Sequence, residues 1–293
     1  MSYRVTLPCS REQAEALTEA QDQFPEGSNP PVLVADEPDA SRPDEWLLHA
    51  YFDHEPGAGE LELLSLLGNG PPRVDELGEE DWVRMSQAGL EPIRAGRFTV
   101  HTPTYPPEKD RINFEIDAGL AFGTGQHATT SGCLLALDRL EQAGKSFSNI
   151  ADIGTGTGIL AFAALTLWRD AKCLATDIDP IAIDVARENA LINGMKPGHG
   201  RGELLLGTAD GMDSPLLAAR APFDLIIANI LAGPLIGLAP AFASALERGG
   251  TILLAGLLDT QANAVAEAYR REGLTISDRG IGEWPVLVCE RPS

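Results

Sequence analysis

Ile150-Ala151-Asp152-Ile153-Gly154-Thr155-Gly156-Thr157-Gly158-Ile159-Leu160 reads as a buried strand, a turn of alternating glycines and the opening of an apolar helix. Glycines let the backbone adopt left-handed angles and approach a ligand with no Cβ in the way. A helix opening directly behind them presents unpaired N–H groups to a nucleotide-like cofactor. The spacing then discriminates among cofactors. The dinucleotide fingerprint G-x-G-x-x-G needs glycine at 154, 156 and 159, and position 159 is Ile.

The third glycine comes one residue early, at 158, giving G-x-G-x-G, the spacing typical of S-adenosylmethionine enzymes. Around this turn, helix and strand patterns alternate from about residue 128 onward. Strands are expected at 149–153, 172–177, 203–206, 223–229 and 250–255, with a final pair near 275–279 and 284–289. Such alternation implies parallel strands joined by right-handed crossovers. The expected fold class is therefore α/β, a mostly parallel open sheet, which the family resemblance described below makes a Rossmann-like S-adenosylmethionine-dependent methyltransferase domain.

In such sheets ligands bind outside the carboxyl ends of the strands, which singles out the residues there. Lys172-Cys173-Leu174-Ala175-Thr176-Asp177 ends in an acid 23 positions beyond Gly154, placed to accept both hydroxyls of a ribose. Asp179 and Pro180 then read as N-cap and first residue of a helix that stops before Gly194. Asp152 at the tip of the first strand faces either a ligand ammonium or the turn's own backbone N–H groups. Asp210, after the third strand, meets an adenine amino group or serves as a turn aspartate. Asn229 ends the fourth strand, Phe223 to Asn229. It either accepts hydrogen bonds from a substrate amine, aiming the nitrogen lone pair at a methyl group, or caps the helix that follows. Ala118 to Thr130 places flexible glycines, Phe122 and two threonines just before a helix. That loop is suited to fold over a cofactor, with Phe122 excluding water and Thr130 bonding its polar end. No general base is evident, and His127 is the imidazole nearest to that loop.

Composition sets the outer bounds. The chain has 293 residues, 44% of them apolar and 22% charged, enough for two globular domains. No apolar run approaches the roughly 20 residues that span a bilayer, and the first residues lack a secretory core. A cytoplasmic location is expected, with no membrane contact. Cys9, Cys133, Cys173 and Cys289 are too scattered for a metal site and read as reduced thiols; His49 and His54 make no metal pattern either. The net charge of −21 disfavours direct nucleic-acid binding. Residues 1–90 hold 5 Arg, no Lys and 19 acidic residues, an imbalance that attracts a basic partner or simply maintains solubility. Their strand and helix runs follow the order β-α-β-β-α, so residues 1–78 are expected to form a small α+β, ferredoxin-like, substrate-recognition domain. A polar helical linker is expected at 79–92 and the catalytic domain at 93–293.

Several stretches together resemble the ribosomal protein L11 methyltransferase family, PrmA. They are Gly119-Leu120-Ala121-Phe122-Gly123-Thr124-Gly125 with His127 and Thr129-Thr130, the glycine turn at 150–160, and Asp177-Ile178-Asp179-Pro180. Glu188-Asn189-Ala190, Asn193-Gly194 and Ala228-Asn229-Ile230-Leu231-Ala232-Gly233-Pro234-Leu235 with Leu238-Ala239-Pro240 complete the pattern. The resemblance covers roughly residues 80–293. It implies transfer of methyl groups from S-adenosylmethionine to lysine side-chain and N-terminal amines of ribosomal protein L11, a basic partner gripped by the first domain. Cofactor contacts carried over by motif fall on Phe122, Thr130, Gly154, Asp177 and Asn229. Gly156, Ile178 and Asp210 join them from the turn and the strand tips, and Asn229 is the expected catalytic residue. Nothing demands more than a monomer. Ala118 stands where many members have proline, Thr155 replaces a frequent cysteine, and His101 to Pro107 lacks an expected tryptophan. Competing readings are a methyltransferase for another protein or small-molecule amine, and a cofactor-binding ribosome assembly factor without turnover. Glutamine methyltransferases usually carry N-P-P-Y where this chain has Asn229-Ile230-Leu231-Ala232.

Overall fold

The computed structural model describes residues 2–10, 13, 31–36, 46–52, 54–77, 92–116 and 126–293. The chain divides into two compact units, Met1–Gly89 and Leu90–Ser293. The expected linker helix at 79–92 lies almost wholly outside the described residues, as does most of the first helix expected after Ser10. What is described of that helix is its start: Ser10 Oγ accepts from the Gln13 N–H (3.2 Å) and Gln13 Oε1 from the Ser10 N–H (2.8 Å). This reciprocal capping box satisfies two backbone donors at a helix entry.

In the first unit, strands β1 (Ser2–Cys9), β2 (Val32–Asp36), β3 (Trp46–Phe52) and β4 (Arg73–Leu77) form one antiparallel sheet in the order β2-β3-β1-β4. Period-two alternation puts Val5, Leu7 and Cys9 of β1 on one face with Leu48, Ala50 and Phe52 of β3. Helix α1 (Ala58–Leu67) contributes Leu64 to the same core. This strand order is that of a ferredoxin-like sandwich.

The second unit begins with a small sheet, β5 (Ile93–Ala95), β6 (Phe98–His101) and β7 (Ile112–Glu115), in which β6 and β7 run parallel. Helix α2 (Gln126–Gln142) follows. Arg97 donates to Asp138 (2.6 Å) and Glu141 (2.5 Å) of that helix, tying sheet to helix. The main sheet holds β8 (Asn149–Ile153), β9 (Lys172–Asp177), β10 (Lys196–Pro197), β11 (Glu203–Thr208), β12 (Phe223–Asn229), β13 (Leu246–Ala255), β14 (Thr275–Arg279) and β15 (Leu287–Glu290). Their order is β10-β11-β9-β8-β12-β13-β15-β14. Helices α3 (Ile159–Leu167), α4 (Pro180–Ile192), α5 (Pro215–Arg220), α6 (Ala232–Ala245) and α7 (Asp259–Arg271) fill the intervals.

The sheet is parallel except at β15, which pairs antiparallel with both β13 and β14. The seven-residue turn from β14 to β15 is too short for a crossover, so the last pair must be antiparallel. Phe223 to Ala228 of β12 are all buried, as expected of a central strand covered on both faces. Two apolar cores lie on either side of the sheet, one gathered around Phe162, Leu134 and Phe98, the other around Phe242, Tyr269 and Phe223. Each fully buried large side chain contributes about 1.5–3 kcal/mol.

Candidate active site

The chain passes from β8 to β9 on one side and reaches β12 on the other, so the sheet order reverses at β8. A crevice therefore opens between the carboxyl ends of β8 and β12. The glycine turn leaves β8 at this point. The N–H groups of Gly154 and Thr155 both donate to the Thr176 carbonyl (2.8 and 2.9 Å), bending the chain across the tip of β9. Gly154 has φ +73°, and a Cβ there would lie 2.3 Å from Ile230 Cγ2. Only glycine fits, and the residue after Asn229 thereby touches the turn. Gly156 differs: φ is +53°, yet a Cβ would meet no atom of the described residues within 4 Å.

Asp177 is bound to this turn. Its Oδ2 accepts from the Gly156 N–H at 2.9 Å and its Oδ1 from the Asp179 N–H at 3.1 Å. Two backbone donors fix the carboxylate, and each oxygen retains capacity to accept a further hydrogen bond. The Ala209 N–H donates to the Asp177 carbonyl (2.8 Å), which sets Asp210 beside the same strand tip. Ile178 is 64% exposed next to it. Gly156, Asp177, Ile178 and Asp210 thus share one rim. Asp179 caps α4 by accepting from the Ile181 N–H (2.8 Å), with Pro180 in the first turn. At the other end Met195 N–H bonds the Ala190 carbonyl (2.8 Å) and Gly194 takes φ +66°, a Schellman stop.

Asn229 ends β12, paired with Ala255, and is half-buried. The N-cap of α6 is Leu231, so the carboxamide of Asn229 is not used to cap that helix. Ile230 is wedged between two turns, since a Cβ on Gly256 would also lie 2.4 Å from the Ile230 carbonyl oxygen. The strand end that carries Asn229 is held against the glycine turn from both sides.

Asp152 points inward. It is 1% exposed, and its Oδ2 accepts from the Thr155 hydroxyl at 2.6 Å. Oδ1 has no hydrogen-bond partner among the described residues. Burial is the main cause that pushes this carboxyl up to about 7, reinforced by the nearby Asp177 charge and opposed by Thr155 and the Ala161 backbone. Of the two roles open to Asp152, the geometry favours fixing the turn over meeting a ligand.

Thr130 stands in the second turn of α2, 9% exposed. A Cβ on its near neighbour Gly132 would lie 2.8 Å from Val286, which seats this turn beside the start of β15. None of the described hydrogen bonds joins Thr130 to the Asp177 rim. Phe122 and the side chain of His127 lie outside the described residues. Sequence reasoning missed the Thr155 hydroxyl, the Ala209 N–H and the Ile230 wedge, none of which has a signal beyond its neighbours in the chain. It also assigned no role to Asn189 and Asn193, whose four-residue spacing places them on one helix face.

These residues fit an adenosyl amino acid. Among the described residues there is open space beside Gly156, an anchored carboxylate able to accept from ribose hydroxyls, an exposed apolar side chain next to it, and a carboxamide at the tip of β12. We expect Asp177→Ala to weaken S-adenosylmethionine binding by about 1–3 kcal/mol, the range for buried groups losing a hydrogen-bond partner. Titration calorimetry giving an unchanged affinity would overturn the ribose assignment.

Comparison with known proteins gives a consistent picture. The family model for ribosomal protein L11 methyltransferase (PrmA) matches residues 4–292. A protein named ribosomal protein L11 methyltransferase from Brucella suis is 39% identical over 277 residues, covering 93% of each chain. One of the same name from a Caulobacter species is 39% identical over 292 residues, covering 97% of this chain and 96% of its own. Among solved structures, a ribosomal protein L11 methylase from Lactobacillus delbrueckii subsp. bulgaricus superposes with a TM-score of 0.59 at 31% identity. That alignment covers 70% of this chain and all of the other.

Proposed function

Because the chain belongs to the ribosomal protein L11 methyltransferase family, we propose that it methylates lysine side-chain and N-terminal amines of ribosomal protein L11. It is a methyltransferase, and S-adenosylmethionine is the donor we assign to it. The observation that carries the site assignment is the Asp177 carboxylate held to the N–H of Gly156, a turn glycine whose Cβ side meets no described atom.

When bound, S-adenosylmethionine supplies an electrophilic methyl on a sulfonium. The protein's part is positional, since in-line displacement by an amine gains chiefly from proximity and alignment. Asp177 would accept from the ribose hydroxyls, Ile178 would lie against the adenine, and Asp210 would accept from its amino group. Gly154 and Gly156 would let the backbone approach the amino-acid end, and Thr130 is the further contact that the family motif assigns. Asn229 accepts hydrogen bonds from the substrate nitrogen and aims its lone pair. A lysine amine must first lose a proton held with an ordinary pKa of about 10.4. Transfer into a crevice shielded from water disfavours the ammonium and brings that pKa down. The first unit, with its excess of carboxylates, is the part suited to a basic ribosomal protein.

The test is direct: incubate the protein with labelled S-adenosylmethionine and purified ribosomal proteins and map the label. Label on lysine and N-terminal amines of ribosomal protein L11 is expected. Label confined to other substrates would replace the substrate assignment. Cofactor binding without any turnover would favour an assembly factor.

A further inference from the structure

Helix α4 begins directly after Asp177 and ends in two asparagines that the proposed chemistry leaves without a task. Asn189, 1% exposed, donates from Nδ2 to the carbonyl of Thr157 in the glycine turn at 3.2 Å. Asn193, one helical turn on, holds both backbone groups of Glu115. Its Oδ1 accepts from the Glu115 N–H at 2.9 Å, and its Nδ2 donates to the Glu115 carbonyl at 2.7 Å. The same Nδ2 lies 2.8 Å from the Asn189 carbonyl, which links the two side chains through the helix end. Glu115 is the last residue of β7, and Ile116 after it donates to the His101 carbonyl at 2.9 Å.

Helix capping does not require this arrangement. The end of α4 is already closed by Gly194 and the Met195 to Ala190 bond, and the carboxamide of Asn193, besides donating to the Asn189 carbonyl, reaches both backbone groups of Glu115 on β7, 78 residues away in sequence. We propose that Asn189 and Asn193 are positioning residues for the methyl-transfer site. Together they form a bracket that fixes the far side of the glycine turn and the end of β7 to α4, whose N-cap lies two residues after Asp177. The amide is suited to this because it both donates and accepts, so it binds a strand end as a neighbouring strand would. Without the bracket, Thr157 and Glu115 are no longer set relative to the Asp177 carboxylate, and the cofactor must order them on binding.

This inference rests on the S-adenosylmethionine assignment, and its test separates the two. Asn149 is the control. Its Nδ2 also donates to two backbone carbonyls, of Arg220 (2.8 Å) and Pro222 (2.7 Å), but at the amino end of β8, away from the crevice. Asn193→Ala, Asn189→Ala, the double variant and Asn149→Ala are compared by thermal unfolding, by calorimetric S-adenosylmethionine affinity and by turnover well below Tm. Both bracket variants should raise the cofactor Kd about tenfold, the loss of roughly one buried hydrogen bond's free energy. The double variant should cost clearly less than the sum, because the two side chains act as one device. Asn149→Ala should lower Tm comparably and leave Kd unchanged. Should Asn193→Ala fail to fold, Asn193→Ser keeps a polar helix end without reaching Glu115 and gives the same comparison. Bracket variants that lose Tm but keep the wild-type Kd and kcat, or an Asn149→Ala that shifts Kd equally, would overturn the bracket alone. Wild-type protein that fails to bind S-adenosylmethionine would overturn the cofactor assignment, and the bracket with it.

Discussion

Asn229→Ala should lower kcat about 100-fold while shifting S-adenosylmethionine affinity by no more than a few-fold, because misplacing the attacking atom by about 1 Å has that cost. The expectation follows from what holds Asn229. Strand β12 is buried along its length and delivers Asn229 to the crevice. The following residue, Ile230, is locked between Gly154 and Gly256. A side chain on so constrained a strand end has little freedom to re-aim, and alanine leaves the amine to find its own orientation. The loss corresponds to about 2.7 kcal/mol of transition-state stabilisation. Asn229→Asp gives a sharper test. It preserves an acceptor but adds a charge that favours the ammonium form of the substrate, so activity should recover in part and the pH optimum should move upward. Single-turnover rates across pH check both. An Asn229→Ala variant with wild-type kcat would remove Asn229 from the chemistry and leave orientation to backbone carbonyls.

The legible parts of this molecule are those whose signal is local. The glycine turn, the N-cap at Asp179 and the stop at Gly194 are set by neighbours in the chain, and the structure has them at the expected residues. The central strands of the main sheet were readable because burial on both faces gives unbroken apolar runs, as in Leu225 to Ala228. Strand β7 was not readable. Ile112-Asn113-Phe114-Glu115 is short and half-polar, and it gains its place by pairing parallel with β6 and by the grip of Asn193, both non-local. Strand β10 spans two residues and carries no pattern at all. In the site, residue types at strand tips pointed to the rim at Asp177, Ile178 and Asp210. The inward turn of Asp152 was open in the sequence, because at the strand tip its side chain had two directions available. The Thr155 hydroxyl and the burial of the carboxyl decide between them.

As pH rises toward 7, wild-type protein should lose stability relative to Asp152→Asn. The Asp152 carboxyl stands at about 7 in the folded protein, against about 3.9 for an ordinary aspartate in the unfolded chain. Between those values the unfolded state has released its proton and the folded state retains it, so folding binds a proton and stability falls with rising pH. The contribution is fully present below about 3.9 and lost once pH passes about 7, which amounts to about 4 kcal/mol in all. The chain's pI of about 4.5 makes the acid end prone to precipitation. The comparison is therefore best made by urea unfolding at pH 5.5 and 8, where about 2 kcal/mol of the effect remains. Asparagine keeps an oxygen for the Thr155 hydroxyl and carries no charge at either pH. Groups that titrate in both proteins cancel from the comparison. If the two proteins lose stability in parallel, Asp152 is ionised already at pH 5.5, and its buried oxygen must then be compensated by a donor at Oδ1. If the difference appears, the turn that carries Gly154 and Gly156 rests on a carboxyl that is neutral below pH 7. In that case the proton on Asp152 stabilises the glycine turn through burial, while Asp177 supplies the negative charge on the rim.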